Sequence, residues 1–455
     1  MQTNQTHASG KILPLYTHQS IIRLFLPLLM EQFLAVTIGM ADTLMVSSVG
    51  EAAISGVSLV DTVNTLILQV LAALATGGAV VASQYLGRGD KTNARKGASQ
   101  LYACLIMATG AAALLSVVFC RPILRMVFGS IDEQVMKYAT TYFFISAFSF
   151  PFMGIYNAGA ALFRAQGNSR ISMFASLVMN VINIGLNAVF IFVFRLGVMG
   201  AALASMIARI FAAVWVTCQL QRPENIMRIE GLKALTPDSA YIHRILKIGI
   251  PSGLENGVFH IGKILVSSLI STLGTTAIAA NAVVNVLASM ANIPGNAVSL
   301  AMIPVIGRCI GAGRKDEARS CAGFLMKMAY AGIIATNIVL FAGIPVFARW
   351  FSLSDAAHAL AVQVTRTYNI VGVLIWPSSF TLPNVLRAGG DAKYTMLVSL
   401  VSMWVFRVLL CYLFVLGFGM GLQGVWFGMY VDWLCRTVLF ALRYRSGKWM
   451  ENQVI

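Results

Sequence analysis

The chain is short of charge. Only 11% of its 455 residues are Asp, Glu, Lys or Arg, where a soluble chain carries about a quarter. That shortfall excludes an ordinary cytosolic enzyme and a disordered protein alike. Acids are the scarcer sign, 17 against 33 Lys and Arg, for a net charge of +16. Cysteines number seven, with no CxxC or CxxxC spacing. Most fall in apolar runs, where a free thiol behaves as a small hydrophobe. Neither a metal site nor a disulfide framework is expected. The phosphate-binding pattern G-x-x-x-x-G-K-[S/T] is missing, so the chain encodes no ATP-driven pump of its own. Gly419-x-Gly421-x-x-Gly424 matches a dinucleotide fingerprint by spacing alone. It lies between two apolar runs with no strand before it, and is rejected. Five histidines form no nucleophile–base constellation. No catalytic residue and no cofactor is therefore expected.

What is abundant is apolar length: 58% hydrophobic residues and a mean hydropathy of +0.77. A spanning helix needs about 20 apolar residues. Twelve candidate spans follow, near 21–46, 54–83, 98–119, 138–162, 171–194, 198–219, 246–271, 277–306, 320–347, 359–384, 394–416 and 420–442. Residues 1–20 are polar, without the short apolar core of a cleaved signal peptide. The loops after even-numbered spans hold 17 Lys and Arg, against 5 after odd-numbered ones (Arg121, Arg125, Lys137, Arg195 and Arg349). By the positive-inside rule the even loops and both termini face the cytoplasm. The positive charge is thus topology rather than a nucleic-acid footprint, and no nucleic-acid partner is expected.

The chain also repeats itself. Pro27-Leu-Leu-Met-Glu31 answers to Pro251-Ser-Gly-Leu-Glu255, an offset of 224. Gly87-Arg-Gly89-Asp-Lys91 answers to Gly311-Ala-Gly313-Arg-Lys315 at the same offset, and Phe163-Arg164-Ala165-Gln-Gly167-Asn168 to Leu386-Arg387-Ala388-Gly-Gly390-Asp391 at 223. Two homologous six-helix halves, 1–220 and 244–455, are expected around a cytoplasmic linker, 221–243. Six is even, so both halves enter from one side. Their pseudo-two-fold axis then runs along the membrane normal, as in transporters that alternate access to a cleft between halves. The repeated glycine loops read as tight turns and helix caps.

Two six-span halves, Ala41-Asp42-Thr43 in span 1, Ser83-Gln84-Tyr85-Leu86-Gly87 after span 2 and Phe163-Arg164-Ala165-Gln166-Gly167 together resemble the MATE family of multidrug and toxic compound extrusion transporters. The resemblance covers nearly the whole chain. It implies an all-α inner-membrane antiporter that exports small organic, often cationic, compounds against H⁺ or Na⁺.

An ionisable group at mid-bilayer costs about 2.5–3.5 kcal/mol, so it is a functional candidate by default. Five acids qualify: Glu31, Asp42, Asp61, Glu255 and Asp432. The resemblance implies that Asp42 takes part in cation coupling, with Asn183, Asn187 and Ser205 as partners. Asn183 and Asn187 stand i,i+4, so both amides can face one site. The family's second acid is Asn187 here. One carboxylate in place of two favours H⁺ over Na⁺ as the coupling ion. Interhelical hydrogen bonding accounts equally for the asparagines taken alone. A second polar group comprises Glu31, its repeat Glu255, Lys263 eight residues later, and Arg407. Glu255 either binds cationic substrate or a proton, or forms a structural ion pair with Lys263 or Arg407. Arg209 and Arg366 are expected to snorkel to an interface. Asn292-Ile-Pro294-Gly295-Asn296 should break span 8, and Pro27, Pro151, Pro251 and Pro377 could kink spans 1, 4, 7 and 10.

The sequence therefore points to a monomeric twelve-helix secondary antiporter in the lipid bilayer. The rival is a flippase for a lipid or lipid-linked precursor, with Lys263, Arg407 and Arg366 meeting phosphate.

Overall fold

The computed structural model describes residues 14–129, 132–347, 353–452 and 454–455. Arg349 of the charge count and the first 13 residues lie outside the described residues. The chain is all-helical and traverses the membrane twelve times in two halves. Among the described residues, ten helices are long and apolar enough to cross by length and composition alone. Two passes fall short of that test for local reasons. The fourth is split at Ser149 into α5 (Glu133–Phe148) and α6 (Phe150–Ala165), two residues before Pro151. The seventh, α9 (Ser239–Ser271), carries Arg244, Lys247, Glu255 and Lys263.

The first lobe comprises α1 (His18–Ser47), α2 (Glu51–Gly87), α3 (Lys91–Val118), the short α4 (Cys120–Phe128), α5, α6, α7 (Ser169–Ala188) and α8 (Gly197–Leu220). The second comprises α9, α10 (Thr275–Ala291), α11 (Ile293–Gly311), α12 (Lys315–Phe347), α13 (Asp355–Trp376), α14 (Leu382–Ala388), α15 (Ala392–Val401), α16 (Leu409–Tyr412) and α17 (Gly421–Ser446). Span 8 breaks where Pro294 removes a backbone donor: α10 stops at Ala291 and α11 starts at Ile293. Asn292 at the break accepts a 2.8 Å hydrogen bond from the Tyr368 hydroxyl. Pro27 and Pro251 sit inside continuous helices. Pro377 opens a π-helical turn, Pro377–Thr381, between α13 and α14. Span 11 has two more such turns, Ser402–Val408 and Leu413–Gly417, a device that re-aims side chains inside a helix.

Gly89 and Gly313 adopt positive φ (80° and 73°), as do Gly167 and Gly390 (84° and 98°), so the repeated loops are turns only glycine makes cheaply. Gly87 and Gly311 have a different task. A Cβ on Gly87 would collide with the Arg308 carbonyl, and one on Gly311 with the Gln84 backbone. The two lobes meet there, backbone against backbone.

Helices α1 and α2 pack on α9 and α11 across the lobe seam. The seam runs from the ends carrying the chain termini up to Asn256, whose amide donates to the Gln69 carbonyl at 3.2 Å. Among the described residues, the hydrogen bonds between lobes all lie at or on the terminal side of that contact. Gln84 anchors the seam: its side chain donates to the Ala388 carbonyl and accepts from the Val454 amide. The C-terminal segment thus folds back under both lobes, with Trp449 and Val454 buried. The linker is docked as well. Gln100 of α3 donates to Thr236 and accepts from the Asp238 amide, and Met227 and Ile229 are buried.

Beyond Gln69 the lobes part. One face of α2 there presents Ser55, Ser58, Thr62, Thr65 and Gln69, all exposed. Their spacing of three and four residues is a single helical stripe. The facing repeat, α10, exposes Thr275, Asn285 and Ser289. Hydroxyls and amides in that pattern line water, because hydrocarbon offers them no partners. Leu114, Val118, Phe192, Val193, Leu374 and Leu416 are exposed apolar side chains elsewhere on the helices, as a lipid-facing surface requires.

Candidate coupling-ion and substrate site

The three expected partners of Asp42 do converge on it. Asn187 donates through Nδ2 to Asp42 Oδ1 at 2.6 Å and, at 3.3 Å, to Asn183 Oδ1. Asn183 Nδ2 donates to Ser205 Oγ at 3.0 Å. A polar chain thus links α1, α7 and α8. The i,i+4 spacing in α7 stacks the two amides, and burial leaves them no competing water. Of the Ala41-Asp42-Thr43 element only the Asp42 side chain is described. Asn180, by contrast, turns away and donates to Ser176 at 3.4 Å.

The sequence marks Asp61 as an intramembrane acid but does not place it with Asp42. Asp42, Asn187 and Ser205 line a small cavity, about 20 Å³ of water-sized space, together with Asp61 and Tyr142. That is room for about one water or ion. Asp61, on α2, restores a second carboxylate from a different helix, 19 residues along the chain from Asp42. Tyr142 lines the cavity beside it. The one-carboxylate premise behind the preference for H⁺ is thereby corrected. No spacing rule connects Asp61 to Asp42, because only the packing of α1 on α2 brings them together. Asn187 Oδ1 is buried and accepts no hydrogen bond from the protein, so it adds a further acceptor beside the carboxylates.

Arg209 does not snorkel. Its guanidinium donates to Ser149 Oγ at 2.6 Å, at the break between α5 and α6, and its charge acts on both Asp42 and Asp61. Arg209 is thus the nearby cation of the cluster, acting on both carboxylates through its charge while its hydrogen bond goes to Ser149. Arg366 remains exposed, beside the Phe341 ring.

The second polar group separates into distinct units. Glu255 pairs with neither Lys263 nor Arg407. It binds Arg387 at 2.7 Å and accepts from Ser399 at 2.6 Å. Glu31 does the same in the first lobe, with Arg164 at 3.3 Å and Ser172 at 2.9 Å. These arginines belong to the repeated Arg-Ala-x-Gly motif, which had looked like a turn signal only. The motif's arginine reaches back to span 1 of its own lobe and neutralises the repeated glutamate. The signal was available: acid and base recur together at one offset.

Arg407 is buried against Asp432 at 2.9 Å, and Arg436 binds the same carboxylate at 2.8 Å. Ser402 also donates to Asp432. The Arg407 guanidinium lies 4.8 Å from the Phe259 ring centroid and that of Arg436 5.5 Å from it. The π-helical turn at Ser402–Val408 places Arg407 in this hub. Lys263 is exposed near Arg407, with no carboxylate within 4 Å among the described residues. It lies two helical turns beyond Asn256 on the same face of α9, where the lobes part.

Twelve helical passes in two repeated lobes, polar side chains exposed where the lobes part, and a hydrogen-bonded carboxylate cluster in the first lobe define a polytopic membrane transporter. The family model described as MatE matches residues 27–189 and again 251–413. The chain belongs to the MATE family, and is a transporter rather than an enzyme. It is 27% identical over 453 residues to the uncharacterized transporter YisQ of Bacillus subtilis, covering 95% of each chain. It is 25% identical to the probable multidrug resistance protein NorM of Thermotoga maritima, covering 96% of this chain and 94% of that one. A solved structure described as the outward-facing conformation of a multidrug resistance MATE family transporter superposes with a TM-score of 0.89, at 20% identity over 95% of this chain and 96% of the other.

Proposed function

We propose that the chain is an antiporter that exports small organic, cationic amphiphilic compounds, driven by H⁺ entering through Asp42. The carrying observation is the Asp42–Asn187–Asn183–Ser205 chain opening on a cavity shared with Asp61. In the outward-facing state Asp42 takes a proton, and its bond to Asn187 reverses or breaks. That loss frees α1 from α7, the first lobe repacks, and the drug leaves the cleft. The return step delivers the proton to the cytoplasm, on the side that carries both termini. One proton crossing 100 mV supplies about 2.3 kcal/mol, besides the pH term.

The test is uptake of a fluorescent organic cation into inside-out proteoliposomes under separate pH and Na⁺ gradients. Uptake driven by the pH gradient and absent in Asp42→Asn supports the reading. Normal uphill uptake by a folded Asp42→Asn protein sinks it. The Na⁺ alternative gains a specific observation, since Asp42, Asp61 and the free Asn187 oxygen form a hard-oxygen set suited to a small cation. Uptake driven by Na⁺ alone selects it. The flippase alternative loses Arg407, which is locked to Asp432, and Arg366, which stands outside the hub. Only Lys263 is left to meet a phosphate.

A further inference from the structure

Two of the seven thiols, taken in the sequence as separate small hydrophobes, stand side by side. Cys309 lies in the last turn of α11 and Cys321 in the second turn of α12, with their sulfurs within 4.8 Å of each other. Both are buried. The Glu317 carboxylate completes the group: one ligand atom from each residue lies within 4.8 Å of the others. We infer that Cys309, Cys321 and Glu317 form a site for a thiophilic divalent cation of the zinc type at the closed end of the lobe seam.

Chemistry selects the class of ion. Two thiolates and one carboxylate suit a borderline-soft d¹⁰ ion, and neither Na⁺ nor Mg²⁺ is held by sulfur. Around a tetrahedral zinc the ligand atoms stand about 3.5–3.8 Å apart, so only a small inward shift is needed. A carboxylate oxygen beside the two sulfurs supplies the third ligand that a metal uses and a disulfide does not. The turn between the two helices, Gly311 to Gly313, sets the geometry, because it folds the α11 and α12 ends together. Glu317 is already oriented, accepting from the Tyr16 amide at 3.2 Å and from Arg314 at 3.2 Å. Three protein ligands leave one position for water.

Location gives the site a consequence. Tyr16 belongs to the first lobe, so Glu317 itself bridges the lobes. The neighbouring residues Arg308 and Gly311 make the backbone contacts with Gly87 and Gln84. Arg308 also reaches Tyr16 and the Gln166 carbonyl. An ion on this trio pins the α11–α12 turn in the shape the closed seam requires, and so stabilises that state by mass action.

The experiment uses the full-length protein in detergent, reduced, in a Cys218→Ser/Cys435→Ser background that removes the two thiols outside the buried class. Cd²⁺ is titrated as the probe and read by its ultraviolet thiolate-to-metal band; Zn²⁺ competition gives the second affinity. One equivalent of Cd²⁺ is expected, with a raised Tm. Cys309→Ser and Cys321→Ser should each abolish both effects. Glu317→Gln should retain the band and weaken binding at least tenfold. Equal binding by a folded Cys309→Ser/Cys321→Ser protein overturns the assignment, as does no binding by the reduced parent. A Cys309–Cys321 disulfide in protein isolated without reductant from cells, found by peptide mass spectrometry, overturns it in favour of a redox pair.

Discussion

The two lobes began as the same polypeptide and now carry different polar clusters. At the Asp42 cluster two carboxylates line one cavity with no ion pair to either among the described residues, and an amide oxygen is left without a donor. At the matching depth of the second lobe one carboxylate, Asp432, serves Arg407 and Arg436, and aromatic rings cover both cations. The first arrangement has acceptors to spare and a cavity beside them. The second is closed on itself. Arg407 stands at the repeat position of Asn183 and Cys411 at that of Asn187, while Asp432 and Arg436 answer to Ala208 and Ala212, so several substitutions separate an amide relay from a cationic lock. Duplication supplied two scaffolds, and buried charge divided the work: a lobe that exchanges a cation, and a lobe that holds its shape. The Glu–Arg pair in each lobe stayed the same because it only fastens span 1 or 7 to the end of the fourth or tenth.

The sharpest way to break this comparison is to remove the carboxylate from each side. Asp42→Asn should eliminate uphill transport while leaving Tm within a few degrees, because the amide can still bond Asn187. Asp432→Asn should do the reverse in kind. It strands two buried guanidinium groups, a loss of about 3–5 kcal/mol of stability, visible as a collapse of Tm or of folded yield. Replacing Arg407 and Arg436 together with Asp432 by apolar residues of similar volume should recover much of that loss, which thermal unfolding would show.

The repeated ion pairs come next. Arg387→Met leaves Glu255 buried without its 2.7 Å partner, and Arg164→Met leaves Glu31 without its looser 3.3 Å one. Both should destabilise, the second lobe more, with Tm as the readout. In each lobe the glutamate-to-glutamine change added to the arginine change should restore part of the loss. Equal losses in the two lobes would argue against the tighter closure of the second.

Across the seam, Gly87→Ala and Gly311→Ala set a methyl group against backbone that cannot yield. Each should open the terminal end by at least about 1.4 kcal/mol, a tenfold shift in population. A cysteine placed in that seam and challenged with a membrane-impermeant maleimide would report it.

The smallest effect separates the paired loops. Asp90 caps α3, and hydrogen bonds from the Asn93 backbone and side chain hold its carboxyl below the usual range. Arg314 occupies the matching place before α12. The Asp90 contribution is complete at neutral pH and fades as pH falls through the carboxylate range. Exchange of the first α3 amides should therefore rise at acid pH, and Asp90→Ala should remove the dependence.

Much of the molecule was written in one dimension. Apolar runs counted the passes, the 224-residue offset gave two lobes, and the i,i+4 asparagines gave the relay, since each of these depends on neighbours along one helix. The break at Asn292 followed from Pro294 in the same way. Three features escaped. Asp61 reaches Asp42 only through helix packing. Arg164 and Arg387 extend from motifs that read equally well as turns. Arg407 found Asp432 because a π-helical turn rotated it away from Glu255. Sequence alone determined which residues are buried in helices and which helices repeat, because period and composition act locally. Tertiary structure alone decided which charge meets which, because a buried ion takes whichever partner the packing of distant helices brings within about 3 Å, and chain distance does not enter that choice.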